Sequence, residues 1–204
     1  MKLLKNTFRL CVLLECVFLF SLFYGCSTQL ALQSAAVNPK FAAVLNNGQA
    51  SYFIDEVEIP RLVYQRIGKK RNNVGDFLAW VYTDQTKLEN WCENELKLFL
   101  KRHNQKVSTD FDTADFILKC KIDKIWCEKK WQWGDTDKFL AEIKLHVIIK
   151  NRKSGQKVFN DYLKYYFNID RSKDRSTQIS DEQMFNYCLS TAFQSALEKI
   201  KFEQ

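Results

Sequence analysis

The chain has 204 residues, a formal net charge of +7 and 46% hydrophobic residues, but only two histidines and six glycines. This length suits a single domain. The sequence contains no phosphate-cradling glycine loop, no Gly-x-Ser-x-Gly nucleophile turn and no cysteine–histidine spacing typical of a metal site. We therefore predict a protein that is not an enzyme and holds neither a cofactor nor a metal.

The N-terminus has the parts of an export signal. Lys2, Lys5 and Arg9 precede an apolar stretch at 10–24, as in a secretory signal peptide. The stretch is shorter than the roughly 20 apolar residues that a spanning helix needs, and it contains Glu15, which is costly at a bilayer centre. A cleaved signal at 1–25 is therefore favoured over a membrane anchor.

The residue that follows this signal is Cys26, in the run Leu-Phe-Tyr-Gly-Cys. The run resembles a bacterial lipobox, in which the cysteine receives a diacylglyceryl group and a further acyl chain. Two or more chains anchor a protein stably, because each buried methylene contributes about 0.8 kcal/mol. We predict a membrane attachment through Cys26, with an uncleaved helix or plain secretion as the alternatives, and no nucleic acid partner.

After Cys26 the chain divides into a tether and one domain. Residues 26–48 are polar, rich in alanine and end near the turn signal Asn-Asn-Gly, so we assign them to the lipidated cysteine and its tether. Residues 49–204 form the domain. Its first two strands are predicted at 50–59 and 76–82, which are short runs rich in apolar and aromatic residues.

Helical and alternating patterns follow. From Asp84, a potential cap, apolar residues recur every three or four positions up to Phe99, which predicts a helix. Three segments then alternate with period two. Even-numbered residues of 116–126, including Trp126, are predicted to face inward, as are odd-numbered residues of 139–149 and of 159–169. Turn-rich joints between them indicate an antiparallel meander.

A second helix is predicted after Ser180, whose side chain can form a capping box with Gln183. Two amphipathic helices and strands with one apolar face each can bury that surface only if the helices pack on one side of the sheet. We therefore predict an α+β two-layer sandwich with a mainly antiparallel sheet of four to five strands and two helices on one face.

Four further cysteines lie in the domain: Cys92, Cys120, Cys127 and Cys188. They include no Cys-x-x-Cys pair, so a zinc or redox site is not expected. Disulfides are possible outside the cytoplasm, and buried thiols that act as small apolar side chains are the alternative.

The order of these features resembles a group of small bacterial envelope lipoproteins. The features are Cys26, a strand, "QRIGKKRNNVG", a helix from "DQTKLENW" to "LKRHNQKV", "TADFILKCKIDKI", a strand ending in "NRKSGQKV", an aromatic strand and a helix rich in alanine and leucine. The chain looks like the YajG-type lipoproteins, and more loosely like PqiC-like auxiliary lipoproteins of lipid transport systems and LptE. The resemblance implies a location on the outer membrane, facing the periplasm.

Two surface features are candidates for binding an envelope protein or anionic lipid. One is the basic loop that carries Arg66, Lys69, Lys70 and Arg71, which can meet lipid phosphates or an acidic partner. A merely solvated loop is the alternative interpretation.

The other feature is "WCEKKWQW", with its aromatic and basic side chains Trp131, Trp133, Lys129 and Lys130. Tryptophan is favoured at binding hot spots and membrane interfaces. The inward set of the preceding strand is even-numbered, so without a bulge both tryptophans point away from the helices. The alternative is that they cover the open end of the core.

We expect a non-enzymatic, membrane-anchored lipoprotein that acts as an accessory binding component in envelope lipid transport or outer-membrane assembly. A structural or surface-exposed protein-interaction lipoprotein with no lipid role is the main alternative, and a hydrolase hidden by the resemblance is a distant one. The oligomeric state does not follow from the sequence.

Overall fold

The computed structural model describes residues 28–34, 50–61, 66–72, 75–132, 135–170 and 179–200. The elements in chain order are β1 (Thr28–Gln29), β2 (Ser51–Glu58), β3 (Gly68–Arg71), β4 (Phe77–Tyr82), α1 (Gln85–Arg102), β5 (Lys106–Ser108), β6 (Phe116–Gln132), β7 (Asp135–Asn151), β8 (Lys157–Asp170) and α2 (Asp181–Leu197). The predicted signal at 1–25 and Cys26 lie outside the described residues. Part of the stretch assigned to the tether, 28–34, lies against the domain.

The sheet is built around the long strand β6. On one side β6 pairs antiparallel with β7, which pairs antiparallel with β8. On the other side β6 pairs in parallel with two strands in succession, with β2 along its first half and with β3 near Cys127. β5 extends the sheet beyond β2, and β4 and β1 extend it beyond β3. The sheet therefore forks on one side of β6.

This arrangement confirms the α+β class and corrects the predicted sheet. The sheet has eight strands rather than four to five, and four of its seven pairings are parallel, so "mainly antiparallel" is wrong. The missing strands β1, β3 and β5 have only two to four residues each. Such segments are too short to show an alternation of period two. The long antiparallel meander of β6, β7 and β8 agrees with the prediction.

Both helices begin at their predicted caps. The Asp84 side chain accepts a hydrogen bond from the backbone N–H of Lys87 at 3.2 Å. Ser180 and Gln183 form the reciprocal capping box at the start of α2. The apolar sides of both helices and one face of the sheet share a single core, whose largest fully buried side chains include Phe99, Phe139, Phe185 and Phe193. We call the opposite face of the sheet the outer face.

A β-bulge in β6 changes which residues face the core. Leu118, Cys120 and Ile122 are buried, as predicted, but the register shifts between Ile122 and Lys124. Ile125 and Cys127 are the next buried residues. The extra residue of a bulge moves every later side chain to the other face. Trp126 therefore lies on the outer face, and the prediction that it faces inward is wrong.

A buried carboxyl group joins the two helices. Glu95 of α1 is 1% exposed and accepts hydrogen bonds from Ser190 and Gln194 of α2. Burial raises the pKa of Glu95 above its ordinary value, although hydrogen bonds from Gln194, Ser190 and Ser34 oppose the shift. Gln194 Oε1 has no hydrogen-bond partner within the described part of the chain. The buried carboxyl group of α1 is therefore held by polar side chains of α2.

The Glu95→Gln variant should show a weaker loss of stability with rising pH than the parent protein. Because the folded-state pKa of Glu95 is raised, its contribution to the free energy of unfolding is full below the unfolded pKa. That contribution is lost as the pH rises through the folded pKa. Urea unfolding of both proteins at several pH values from 4 to 8 would test this. Parallel pH profiles would show that Glu95 does not titrate in this range.

The four domain cysteines are free, buried thiols. Burial raises the pKa of Cys120 and of Cys188 to about 12, so both thiols stay protonated at neutral pH. Protonated, buried thiols are poor nucleophiles and poor metal ligands. In this structure the thiols act as small apolar side chains, one of the two possibilities that the sequence left open.

Candidate functional site

The most distinctive surface of the molecule lies on the outer face, where β4, β3 and β6 run side by side. Trp80 of β4 and Trp126 of β6 are half-buried, with ring centroids 6.4 Å apart and planes at 66°. Phe77 extends the group, with its ring centroid 5.0 Å from that of Trp80. Edge-to-face contacts of this kind are favourable for aromatic rings. Together they form an aromatic strip across the three strands.

Two cations lie over these rings. The guanidinium carbon of Arg66 is 4.7 Å from the centroid of Trp80, and Nζ of Lys69 is 5.9 Å from the centroid of Trp126. Both distances fall within the range of about 6 Å for a cation–π interaction. Arg66 is also exposed to solvent. The rings thus hold these cations at the surface, where they can still meet an anion.

A single carboxylate orients the cations further. Glu128 Oε1 lies 3.2 Å from Lys69 Nζ and 3.2 Å from Arg71 Nε, and its side chain is 9% exposed. Arg71 also donates a hydrogen bond to the carbonyl of Gly75 at 3.0 Å. Since this carboxylate faces two cations and Arg66 lies nearby, the region keeps a net positive charge. We call the set the Trp80 surface: Arg66, Lys69, Arg71, Phe77, Trp80, Trp126 and Glu128.

The close approach of β3 to β6 depends on glycine at position 68. A Cβ atom placed on Gly68 would lie 2.2 Å from the carbonyl oxygen of Cys127. No other residue could sit there without moving the backbone. The absence of a side chain therefore allows Lys69 to reach Glu128 and Trp126.

The structure separates the predicted basic residues into two groups. Arg66, Lys69 and Arg71 join the Trp80 surface, whereas Lys70 points to the helix side, with Nζ 6.0 Å from the ring centroid of Phe185. The alternation of strand β3 explains this division, because neighbouring side chains face opposite sides of the sheet. Lys70 therefore cannot act together with its neighbours.

The second predicted feature, the run "WCEKKWQW", is also divided. Lys129 is 8% exposed and its Nζ lies 3.4 Å from Asp181 at the start of α2, so the expectation of a working surface at Lys129 is wrong. The bulge between Ile122 and Lys124 causes this, since it turns odd-numbered residues toward the helices. Lys130 is exposed.

Trp133 lies outside the described residues, as does the side chain of Trp131. Both tryptophans are expected on the outer face only if the strand has no bulge. The shift between Ile122 and Lys124 means that this condition is not met.

Phe77 and Trp80 lie in the strand predicted at 76–82, but the sequence did not identify them as candidate binding residues. The available signal was the alternation within β4, where the small residues Ala79 and Val81 are buried and Trp80 and Tyr82 are only half-buried. A run that is apolar throughout hides this alternation.

Neither histidine belongs to the Trp80 surface. His103 lies at the end of α1 with Nε2 3.2 Å from Glu198, and His146 lies on β7 with Nε2 2.9 Å from Asn160 Oδ1. No group of three or more potential metal ligands occurs among the described residues. A groove of about 600 Å³ between α1 and the segment 32–34 is lined by lysines, amides and apolar side chains, including Lys87, Asn90, Trp91 and Lys101. The Trp80 surface itself offers cations and aromatic rings to a ligand.

The sequence matches no protein-family model and no curated protein. Among solved structures, the protein is similar to XCC0632 from Xanthomonas campestris, of family DUF330, with 14% identity, a TM-score of 0.50 and coverage of 85% of this chain and 92% of that one. A minor lipoprotein from Acinetobacter baumannii matches with 12% identity, a TM-score of 0.35 and coverage of 72% and 85%.

A homologue of a neuraminyllactose-binding hemagglutinin from Helicobacter pylori matches with 12% identity, a TM-score of 0.38 and coverage of 80% and 89%. At these identities, the likeness to XCC0632 concerns the fold alone. Neither helix in the described part of the chain is long and apolar enough to cross a membrane.

Proposed function

We propose that the protein is a non-enzymatic lipoprotein, anchored through Cys26, that binds an envelope lipid or protein partner during lipid transport or outer-membrane assembly. The observation that carries the proposal is the Trp80 surface, where Arg66 lies over the ring of Trp80 and Lys69 over the ring of Trp126. Its cations match a phosphate or carboxylate, and its rings match the apolar part of an amphiphile.

The open shape and fixed cations of the Trp80 surface suit binding of a ligand rather than its chemical conversion. It is an open part of a sheet, with its cations fixed by Glu128 and by the indole rings. A positioned guanidinium recognises phosphate or carboxylate through paired hydrogen bonds. Such a surface recognises the charged group of a ligand while the rest of the ligand remains outside.

The proposed location is the outer membrane, with the domain in the periplasm. The export signal and the lipobox-like run before Cys26 support it, as does the resemblance to YajG-type, PqiC-like and LptE lipoproteins. A structural or surface-exposed interaction lipoprotein with no lipid role remains the alternative function, and it differs from the proposal in its ligand.

Replacement of Arg66 and Trp80 by alanine is expected to weaken binding of a soluble anionic lipid at least about tenfold, because a charge-assisted contact contributes about 1.5–3 kcal/mol. The measurement is a titration of the mature Cys26→Ser protein with short-chain phosphatidylglycerol below its micelle concentration. Tryptophan indole resonances report the contact.

The matched control is the Lys164→Ala and Tyr166→Ala pair, since Lys164 Nζ lies 4.5 Å from the ring centroid of Tyr166 on β8. This pair should bind lipid as the parent does. Equal weakening by both pairs would mean that the Trp80 surface has no special role. No binding by the parent protein, together with capture of a membrane protein by cross-linking at Arg66, would favour the alternative function.

A further inference from the structure

The short strand β1 fixes where a lipid on Cys26 would meet the domain. Thr28 and Gln29 pair with Val81 and Tyr82 of β4. Cys26 precedes Thr28 by two residues, and two residues span at most about 7 Å. An acyl group attached at that distance from Thr28 would start close to β4, which β1 pairs with, and would bring the bilayer near this part of the domain.

The direction of β1 identifies the end of the domain that is nearest to the attachment point. β1 runs parallel to β4, so the chain enters β1 from the side on which β4 begins. β4 begins with Phe77 and Leu78. These two residues are 46% and 51% exposed and are adjacent in the chain, so they form a small apolar patch.

Leu78 owes its exposure to a bulge. Lys70 is opposite Ala79 and Arg71 is opposite Phe77, so Leu78 has no partner on β3. The side chain of such an extra residue points in a different direction from the side chains of a regular strand. The sheet thus ends here in two adjacent apolar side chains at the surface.

Cations surround this end. Arg71 lies opposite Phe77. β6 reaches the same level, because Lys69 pairs with Glu128 in parallel, which places the exposed Lys130 level with Arg71. Apolar side chains flanked by lysine and arginine are typical of surfaces that contact anionic lipid head groups.

The opposite end of the sheet is far away. Asn151, which precedes the turn between β7 and β8, pairs with Phe116 at the start of β6. At about 3.3 Å per residue, Phe116 and Lys130 lie about 46 Å apart along the strand. Ser154 in that turn is exposed. It is therefore a reference point for the side of the domain that faces away from β4.

We infer that Phe77, Leu78, Arg71 and Lys130 form a membrane-contact end, which rests on the anionic bilayer that holds the acyl chains of Cys26. Phe77 and Leu78 enter the head-group region, Arg71 and Lys130 face lipid phosphates, and β6 leads away from the membrane. The inference rests on the proposed function in one respect, since it takes Cys26 as the anchor. It adds the orientation of the domain relative to the bilayer, and this orientation brings the Trp80 surface close to the head groups.

The test is depth-dependent fluorescence quenching of the full, acylated protein in vesicles of phosphatidylcholine and phosphatidylglycerol. Leu78→Cys or Ser154→Cys is labelled with a bimane, and spin-labelled lipids in the vesicles act as quenchers. Labelling is selective, because the four domain cysteines are buried and Cys26 is acylated. Asp76→Cys serves as a second probe if Leu78→Cys folds poorly, because Asp76 is exposed and lies two residues before Leu78.

We expect at least fivefold stronger quenching at Leu78 or Asp76 than at Ser154, and a smaller difference in vesicles without phosphatidylglycerol. Equal quenching at both ends, or stronger quenching at Ser154, would overturn the orientation. Mass spectrometry of the peptide that contains Cys26 reports the anchor separately. An acylated protein without quenching at Leu78 would refute the membrane-contact end and leave the lipoprotein function intact, whereas an unacylated protein would refute the anchor.

Discussion

Leu145→Ala is expected to lower the free energy of unfolding by about 2–5 kcal/mol, as truncation of a buried leucine does. Leu145 is completely buried at the centre of β7. It lies opposite Ile122 on β6 and Leu163 on β8. The rigid strands on both sides prevent the cavity from closing. Urea unfolding followed by circular dichroism provides the measurement.

Lys144→Ala is the matched control for this substitution. Lys144 is the neighbour of Leu145 on the outer face, and its side chain is 40% exposed. Its contact with Glu142, at 3.5 Å, is a surface ion pair, which contributes about 0–1 kcal/mol. The variant should therefore stay within about 1 kcal/mol of the parent. Similar losses at both sites would contradict the assignment of the two faces of β7.

Cys26→Ser is expected to abolish acyl labelling and to release the protein from membranes. One thioether carries the diacylglyceryl group, and Ser provides no thiolate for its attachment. Fractionation of cells grown with a labelled fatty acid would show both effects. If an unlabelled Cys26→Ser protein stayed with the membrane after a high-salt wash, which removes electrostatic binding of the membrane-contact end, residues 1–25 would have to remain as an uncleaved helix, and Cys26 would not be the anchor.

The sequence was sufficient to predict the elements that carry a long periodic signal. Both helices, with Asp84 and Ser180 as caps, and the three long strands occur as expected. The short strands could not be predicted, because their pairing depends on contacts far along the chain. Gly68 of β3, for example, pairs with Val81 of β4 and with Cys127 of β6, and neither is near it in the chain.

The candidate site could be predicted only in part, because it too depends on contacts between residues that are far apart in the chain. The sequence indicated Arg66, Lys69 and Arg71 as a basic group, but it gave no sign that Trp80 and Trp126 would lie beside them. Trp80 is distant from Trp126 in the chain and is brought close by the pairing of β4, β3 and β6. A local pattern carries no information about this placement.

The bulge at Ile122–Lys124 gives β6 an asymmetric tolerance to genetic change. Asp123 is exposed, and replacement of its side chain should matter little. Loss of its whole codon would remove the extra residue and restore regular alternation, in which Ile122 and Ile125 are two positions apart and both face the core. Cys127 would still face the helices, and Trp126 would stay on the outer face. A one-residue deletion elsewhere in β6 would instead exchange the two faces of part of the strand, so deletions should be tolerated at the bulge and selected against in the rest of β6.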